Sequence, residues 1–460
     1  MEKQVKTRSH STVNQTMQAA IAEVEPETIE VGVELIDSEP YYNPKTEQNP
    51  QIKPKTQSDN AVLLQPESIS EEQAISNISE INKDFDPGYA YSITKRILSY
   101  INKYYFRVEF IGFDELPKRN NPDHPLIYAS NHSGMAFPWD AISFTSGLFA
   151  KTGFDMTQSA RALTAPALSR THIMSPFLID NFWKRLGAID ATRLNFEAAM
   201  HYKGANVMIY PEGVPGIAKG YNNKYQLQRL ATSSLRMSIK YKTDIIPFAT
   251  VNGEYINPFS YSIAKLNDLV QKLGIPFLPI GPALFLIPFQ PWLFYFAFPA
   301  KLTFVRGKRI KPYELVGNRP LEEVSEEEIQ ELRDKLQQQM QRELDAAVAK
   351  YGKKPYDLWE LMRVTLSNAS KIMHFIPLVW PILFREHERQ YTSLRDRMDN
   401  MGILPKDDAD RIRKMQEVHE ARGEQEVTVL SVVDTVLKNP EILLLYTPVV
   451  GLISMFRGDD

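Results

Sequence analysis

The pattern of hydrophobic and polar positions divides the chain into three parts. Residues 1–84 contain only two aromatic residues, Tyr41 and Tyr42, and are rich in Glu, Gln, Ser, Asn and Pro. Such a composition buries too little apolar surface to offset the entropy lost on ordering, so we predict a disordered acidic tail there. Apolar runs and amphipathic stretches alternate over residues 85–312, and the pattern becomes helical over residues 313–460. These three ranges are the predicted tail, domain and helical C-terminal extension.

Three short apolar runs within the domain predict buried strands, at residues 125–130, 206–210 and 245–251. Helical stretches lie between them, which predicts an α/β fold with a central, mostly parallel sheet flanked by helices. The first strand runs directly into Asn131-His132, and the second into Pro211-Glu212-Gly213. Because loops at the carboxyl ends of parallel strands meet at one edge of a sheet, we expect these two loops to face one crevice.

The hydrophobic pattern outside these three strands predicts further helices and strands. Apolar residues at helical spacing over 89–105, with Lys95, Arg96 and Lys103 between them, indicate either a core-facing helix or a basic helix on a membrane surface. The other predicted elements are a strand over 106–113, helices and loops over 141–204, a helix over 227–241, a strand over 301–305 and a helix from a capping box at Ser325 to about Ala349.

Residues 273–300 carry no charged side chain and are rich in aromatic residues. The length would suit a membrane span, but six prolines and two glycines argue against an uninterrupted helix in lipid. A hydrophobic region that enters one leaflet or lines an acyl-chain tunnel fits this stretch better. The alternative is an ordinary segment of the apolar core.

Charge and composition exclude some kinds of site but indicate the binding partner only weakly. The chain has a formal net charge of −3, and residues 1–84 contain 7 Lys and Arg against 15 Asp and Glu, so the remainder is slightly basic. That balance suits anionic lipids or phosphorylated substrates, although ordinary solvated charge explains it equally well. The chain has no cysteine, which excludes disulfides, zinc–thiolate sites and cysteine nucleophiles. No apolar segment follows the N-terminus, so a cytosolic location is expected.

The candidate chemistry begins at His132. The strand before it holds the imidazole in place, and the loop after it leads to Asp140 at the start of a helix. A histidine oriented by a carboxylate is a general base that can take a proton from a hydroxyl group at neutral pH. The alternative for His132 is a structural residue at the end of a strand.

Four blocks, in order, resemble the glycerolipid or lysophospholipid acyltransferase superfamily. They are Asn131-His132 to Asp140, Leu186 to Arg193, Tyr210 to Gly216 with Lys219 behind it, and Ile245 to Ala249. The common form of the first block has four residues between His and Asp, whereas this chain has seven. The longer spacing resembles a bacterial branch similar to mono- and diacylglycerol acyltransferases. The resemblance covers roughly residues 90–312, which makes 85–312 the expected acyltransferase domain.

The resemblance implies an O-acyltransferase at the cytoplasmic face of a membrane, peripheral or monotopic. It would move a fatty acyl group from acyl-CoA or acyl carrier protein, as co-substrate, to a glycerolipid or other lipid alcohol. His132 would be the base and Asp140 its orienting partner, and Glu212 and Gly213 would bind the acceptor. Lys219 and Arg229 would contact phosphate, unless they are simply solvated, and Arg193 is a candidate through its place in the second block. No cofactor or metal is implied.

Other functions are less well supported by the sequence. The eight histidines show no ligand-spaced pair, so metal binding is not expected. The stretch from Gly213 to Lys219 lacks the spacing of a nucleotide phosphate-binding loop, and no nucleic-acid-binding pattern is visible. The alternative that remains open is a non-catalytic lipid-binding or scaffold protein on the same fold, attached to a membrane.

Overall fold

The computed structural model describes residues 69–133, 137–170, 174–261, 281–405, 407–423 and 427–449. A seven-stranded sheet lies at its centre in the order β1-β7-β6-β2-β5-β3-β4, and all neighbouring pairs are parallel except β6 with β7. The strands are β1 Glu109–Ile111, β2 Ile127–Ser130, β3 Ala160–Thr164, β4 Ile189–Asp190, β5 Asn206–Ile209, β6 Ile245–Val251 and β7 Thr303–Arg306. The predicted mostly parallel sheet is therefore confirmed.

Helices cover the sheet and continue to the end of the described chain. They are α1 Glu71–Ser76, α2 Ile78–Asn82, α3 Pro87–Ile93, α4 Trp139–Lys151, α5 Pro166–Arg170, α6 Phe182–Arg185, α7 Arg193–His201, α8 Val214–Ala218, α9 Ser233–Tyr241, α10 Pro282–Leu286, α11 Pro312–Leu315, α12 Glu326–Tyr351, α13 Leu358–Ser367, α14 Trp380–Asn400, α15 Asp408–Arg422 and α16 Val429–Lys438. The helical C-terminal region is confirmed, and so is the capping box at Ser325, which exchanges hydrogen bonds with Glu328.

The central strand β2 is buried on both faces, which explains its continuous apolar run. Successive side chains of a strand point to opposite faces. Tyr128 therefore joins one hydrophobic cluster, and Ile127 and Ala129 join another. Helix α12 packs on the second face, where Leu336 and Met340 are buried. The sheet is thus the middle layer of three.

Helix α3 continues through two π-helical segments, Thr94–Leu98 and Ile101–Tyr105, and its apolar residues are buried. The C-terminal helices cover it: Tyr391 of α14 and Met415 of α15 belong to the same hydrophobic cluster as α3. Of the two alternatives for residues 89–105, the core-facing helix is correct. The membrane-surface alternative is wrong because protein covers the apolar side.

The structure differs from the sequence-based prediction near the N-terminal boundary. Residues 71–82, which were expected in the tail, form α1 and α2. Two features stabilise them: Ala74 and Ile81 are buried, and Arg161 donates a hydrogen bond to the Ile81 carbonyl. Residues 1–68 of the predicted tail lie outside the described residues.

Strands β3 and β4 were missed, since residues 141–204 were predicted to be helices and loops. Arg161 interrupts the apolar pattern of β3, yet it is buried. Its guanidinium donates to the carbonyls of Gly187 and Ile81 and lies over the ring of Phe85. These partners come from distant parts of the chain, so the strand could not be recognised locally.

Two other elements begin or end at residues that differ from the sequence-based prediction. Strand β1 is shorter than the predicted strand over 106–113. Helix α9 begins at Ser233 rather than near residue 227. The backbone N–H groups of Leu227, Gln228 and Leu230 donate to the side chains of Gln341, Glu212 and Gln337 instead of to a helix. Side-chain acceptors from elsewhere in the fold therefore hold residues 227–230 in an irregular conformation.

The described part of the uncharged stretch, residues 281–300, contains the five-residue helix α10 and a 3-10 turn at Pro291–Tyr295. Residues 273–280 lie outside the described residues. Among the helices that the structure describes, none is both long enough and apolar enough to cross a bilayer.

Candidate active site

The site begins where β2 ends, at the C-terminal edge of the parallel strands. The Asn131 side chain donates to the Thr250 carbonyl at 3.0 Å and accepts from the Thr250 N–H at 2.7 Å. The hydroxyl groups of Ser130 and Thr250 are 2.9 Å apart. Asn131 thus extends the pairing of β2 with β6 by one residue through its side chain, and this holds the backbone that carries His132.

Asp140 lies in the first turn of α4 and is completely buried beside His132. Its Oδ2 atom is 3.3 Å from Nδ1 of His132 and 3.3 Å from the backbone nitrogen of Ser133. The Ala141 N–H donates to the other oxygen at 2.9 Å. The pairing of His132 with Asp140 is therefore present despite the seven intervening residues, of which 134–136 lie outside the described residues.

The environment keeps the Asp140 carboxylate ionised. Burial acts to raise the pKa of Asp140, but the positive charge of His132 and the hydrogen bonds from His132, Ser133 and Ala141 outweigh it and lower that pKa. The Ser133 N–H lies 3.1 Å from Nδ1 of His132 and 3.3 Å from Oδ2 of Asp140, so it can donate to either atom. Because the ionised Asp140 faces Nδ1 at 3.3 Å, we assign the imidazole proton to Nδ1 and the Ser133 N–H to Asp140. In this tautomer Nε2 carries the lone pair that a general base requires.

The imidazole of His132 stacks on the ring of Tyr210, with a centroid distance of 4.2 Å and an interplanar angle of 24°. Burial and the nearby Asp140 charge raise the pKa of Tyr210 well above its ordinary value, so this ring stays neutral. Only 5 % of the His132 side chain is exposed. Tyr210 thus restricts the orientation of the base and excludes water from one of its faces.

Glu212, at the end of the neighbouring strand β5, holds the backbone around the base. Its Oε1 accepts the His132 N–H at 2.7 Å, and its Oε2 accepts the Gln228 N–H at 2.7 Å. Both oxygens are therefore already used within the protein, and the side chain is completely buried. In this arrangement Glu212 positions the backbone of His132, and its role in acceptor binding, which the resemblance implied, stays a prediction.

Lys219 lies between two buried carboxylates. Its Nζ is 3.6 Å from Oε2 of Glu212 and 3.8 Å from Oε1 of Glu254, and none of the three side chains is exposed. Lys219 was expected to contact a phosphate, or to be solvated, but this position gives it neither a solvent-facing nor a substrate-facing amine. Its charge instead offsets the cost of burying the two carboxylates.

Glu254 was not identified from the sequence. It follows Asn252-Gly253 at the end of β6, and its Oε1 accepts the Tyr225 N–H at 2.9 Å. Burial raises the pKa of Glu254 to about 7, and Lys219 only partly opposes this. One lysine can neutralise one of two carboxylates, so the second favours its protonated form near neutral pH. The signal that could have found Glu254 is its place after a third parallel strand, beside the other two loops.

Two glycines allow these loops to approach each other closely. A Cβ atom on Gly216 would lie 2.6 Å from Cβ of Glu212 and 3.0 Å from Cβ of His132. A Cβ atom on Gly253 would lie 2.6 Å from Cβ of Ser133. Gly213 has φ of 60° and ψ of −146°, a conformation that L-amino acids with side chains rarely adopt. Gly216 and Gly253 therefore make room for the loops of the site, whereas at Gly213, which was predicted to bind the acceptor, it is the backbone conformation that requires glycine.

The two predicted arginines do not contact His132. Arg193 is exposed at the first residue of α7, after β4, and β4 is three strands away from β2. At about 4.8 Å between strands, that places its backbone roughly 14 Å from the end of β2. Arg229 is also exposed and donates to Gln330 of α12 at 3.3 Å. Both are exposed, and their predicted roles in substrate binding stay predictions.

The apolar residues after His132 pack into the core. Phe137 and Trp139 are buried, and the Trp139 indole N–H donates to the Tyr295 carbonyl at 2.9 Å. The rings of Phe137 and Tyr295 are 5.2 Å apart. The loop of the base is therefore fixed to the uncharged segment 281–300. Met135 and Ala136 of the same loop lie outside the described residues.

Two other features of the described ranges bear on the site: possible metal ligands and a cavity. Within the described ranges, no group of three or more His, Asp or Glu side chains is placed to hold a metal ion. A cavity of about 1130 Å³ lies at the opposite end of the sheet, beside Arg119, Arg306 and Arg309. These arginines donate to Asn206, the Glu115 carbonyl and Asp244. They hold the fold together there, far from His132.

Comparisons with known proteins give distant relatives only. An uncharacterized protein of Mycobacterium bovis and one of Mycobacterium tuberculosis are 24% identical to this chain over 199 residues, which is 43% of this chain and 51% of theirs. An uncharacterized protein of Mycobacterium leprae is 25% identical over 199 residues. The chain thus spans about half the length of the curated relatives it matches. No protein-family model and no solved structure matches it.

Proposed function

We propose that this protein is an O-acyltransferase that works at a membrane surface and moves a fatty acyl group from acyl-CoA or acyl carrier protein to a lipid alcohol. The observation that carries the proposal is the pairing of His132 with a buried, ionised Asp140 at 3.3 Å. The order and residue types of the four sequence blocks support it. The geometry supports a base of this kind.

The reaction that we propose needs no covalent enzyme intermediate. The acceptor hydroxyl transfers its proton to Nε2 of His132 while its oxygen attacks the thioester carbonyl carbon. The carbon–sulfur bond then breaks, and the leaving thiolate takes the proton back from the imidazolium. Asp140 stabilises the imidazolium, and such a base contributes about 10²–10⁴-fold to the rate. The chain contains no cysteine that could form an acyl-thioester with the donor.

Two features of the site favour transfer to an alcohol over hydrolysis. The base is nearly buried, and its ring is covered by Tyr210. Restricting water around a nucleophile and its base suppresses hydrolysis of a reactive donor. The apolar segment 281–300, fixed to the loop through Tyr295, is the candidate wall for the acyl chains.

The test is release of free thiol from acyl-CoA with a panel of acceptors that includes diacylglycerol and lysophosphatidate. A colorimetric thiol assay has no background from the protein, because the chain has no cysteine. We expect His132→Ala to lose activity and His201→Ala, the same change at a half-buried histidine outside the site, to retain it. Full activity of folded His132→Ala would contradict the mechanism.

The second candidate is a non-catalytic lipid-binding or scaffold protein. Exposed apolar side chains on α13 favour it as much as they favour a membrane-bound enzyme. The same panel separates the two candidates. Absence of thiol release with every acceptor and with either acyl carrier, together with retained lipid binding, would favour the scaffold.

A further inference from the structure

Helix α13 presents four of its apolar side chains to solvent, while Glu360, Leu361 and Val364 on its other side are half-buried. Leu358, Trp359, Met362 and Leu366 are exposed, Trp359 to 80 % and Leu366 to 71 %, and no residue of the helix is fully buried. At roughly 100° per residue these four side chains fall within an arc of about 100°. A surface helix of a soluble protein normally has the opposite arrangement, with its apolar stripe facing the core.

The inward side of α13 is anchored by charge. Glu360 pairs with Lys301 at 3.0 Å and with Arg107 at 3.9 Å. The Asp357 side chain accepts the Glu360 N–H and caps the start of the helix. The two acidic side chains in and just before the helix are thus directed into the protein, so they contribute little negative charge to the exposed side.

The rim of the apolar stripe is basic. Lys353 and Lys354 are exposed just before α13, and Arg363 is exposed next to the stripe. An apolar stripe that contains tryptophan and is bordered by lysine and arginine is the composition of helices that lie in the interface of anionic membranes. Each basic residue near such a surface strengthens binding about fivefold. This charge complementarity distinguishes an anionic bilayer from a neutral apolar partner.

A series of aromatic contacts connects α13 to segment 281–300, the candidate wall for the acyl chains. Tyr356, just before the helix, contacts Phe298, whose ring in turn lies 4.9 Å from that of Phe296. These residues belong to the uncharged segment 281–300, in which Phe285 is 69 % exposed. The same segment contacts the loop of the base through Tyr295, so the exposed helix and the site are connected by packed side chains.

We propose that the exposed face of α13 is a docking surface for an anionic lipid bilayer and enters the headgroup region with its four apolar side chains. Binding to a bilayer follows from this face alone. Only its role in delivering a lipid acceptor to His132 rests on the proposed function. The partner is the lipid surface itself, recognised by apolar insertion together with contact of Lys353, Lys354 and Arg363 with anionic headgroups.

The test is flotation of the full chain with vesicles of phosphatidylcholine alone or mixed with phosphatidylglycerol. We expect stronger binding to the anionic vesicles, and at least about 10-fold weaker binding for Leu366→Glu, because a leucine no longer enters the apolar region. Leu315→Glu is the matched control: Leu315 is 63 % exposed, on α11 beside Tyr313, which bonds Asp244 at the opposite edge of the sheet. This control should bind as the wild type does.

Two further measurements test whether the exposed face of α13 is the surface that contacts the bilayer. Trp359 is the strongly exposed tryptophan among the five in the chain, so its fluorescence should shift to shorter wavelength on adding anionic vesicles, and Trp359→Phe should lose the shift but keep binding. Lys353→Glu combined with Lys354→Glu should remove the preference for anionic vesicles. Equal binding of Leu366→Glu and the wild type would overturn the proposal. So would a wild-type dimer that Leu366→Glu converts to a monomer without changing vesicle binding.

The result of the vesicle-binding test does not depend on whether the proposed acyltransferase function is correct. Vesicle binding is measured without acyl donor, so it stands whether or not the protein releases thiol. Conversely, Leu366→Glu should release thiol at the wild-type rate when the acceptor is dispersed in detergent. Loss of activity there, with binding intact, would assign Leu366 to the site and not to the docking face.

Discussion

The carboxylate of Glu212 accepts the backbone N–H of His132 at 2.7 Å. Its second oxygen accepts the Gln228 N–H, and Lys219 lies 3.6 Å away. The position of the base therefore depends on a carboxylate from the neighbouring strand as well as on Asp140. Two acidic residues thus have separate tasks: Asp140 orients the ring, and Glu212 fixes the backbone that carries it.

This relationship predicts the effect of Glu212→Gln. A glutamine offers one carboxamide oxygen, so one of the two N–H groups now faces an NH₂ group and loses its acceptor. Leaving a buried donor unpaired costs about 1–3 kcal/mol. We expect the unfolding free energy to fall by that amount, and kcat to fall by roughly 10²-fold because the base shifts by a fraction of an ångström. Chemical denaturation and the thiol assay measure both.

The control for this variant is Glu197→Gln. Glu197 is also buried, accepts hydrogen bonds from Lys240 and Tyr241, and lies on α7 away from His132. It should lose comparable stability while keeping kcat. If both variants keep full activity, Glu212 does not position the base.

Asp140→Asn tests the orientation of the imidazole. An asparagine can turn its NH₂ group toward Nδ1 and favour the wrong tautomer, so we expect kcat to fall by about 10²–10⁴-fold. Asp244→Asn is the matched change at a buried aspartate, which bonds Arg309 at the other end of the sheet. That control should lose stability and retain kcat. An active Asp140→Asn enzyme would show that His132 works without its carboxylate.

Glu254 gives the site a pH-dependent stability. Its pKa is about 7 in the folded protein against 4.5 in the unfolded chain, so the folded state binds more protons between these values. The stability from this group is fully present below pH 4.5, declines as the pH rises from 4.5 through 7, and is constant at higher pH. The shift corresponds to about 3 kcal/mol.

Glu254→Gln imitates the protonated carboxyl at every pH and should remove this decline. Relative to the wild type, the variant should therefore gain about 2–3 kcal/mol of unfolding free energy between pH 5 and pH 8. Denaturant titrations at several pH values measure the difference. Parallel stability curves for the two proteins would mean that Glu254 keeps its charge throughout.

The parts of the fold that the sequence predicted well are those whose signal is local. Strands β2, β5 and β6 are continuous apolar runs, and the capping box at Ser325 marks the start of α12. The placement of His132 and Glu212 at one edge follows from the parallel order of β2 and β5. The pairing of Asp140 could be proposed from its place after the same loop.

The parts that were missed depend on partners far along the chain. Arg161 is accepted inside β3 because Gly187 and Ile81 supply carbonyls to it. Lys219 looks like a surface lysine until Glu212 and Glu254 enclose it. The helix over residues 89–105 looks amphipathic and basic, and only the packing of α14 and α15 decides which side is covered. No short window of sequence contains these contacts.

Gly216→Ala tests how closely the loops must approach. Its Cβ would lie 2.6 Å from Cβ of Glu212 and 3.0 Å from Cβ of His132, and neither atom can move without its backbone. We expect a loss of about 1–3 kcal/mol in unfolding free energy from overpacking. We also expect kcat to fall by roughly 10²-fold, since the clash displaces the base itself.

The matched control is Gly147→Ala on α4. A Cβ there would lie 2.7 Å from the far end of the Phe110 ring, a clash at a similar distance but outside the site. It should reduce stability similarly and leave kcat near the wild-type value in the thiol assay. If Gly147→Ala reduces kcat as strongly as Gly216→Ala, the activity follows overall stability and not the spacing of the His132 and Glu212 loops. If only Gly216→Ala is impaired, that spacing is a requirement of the reaction.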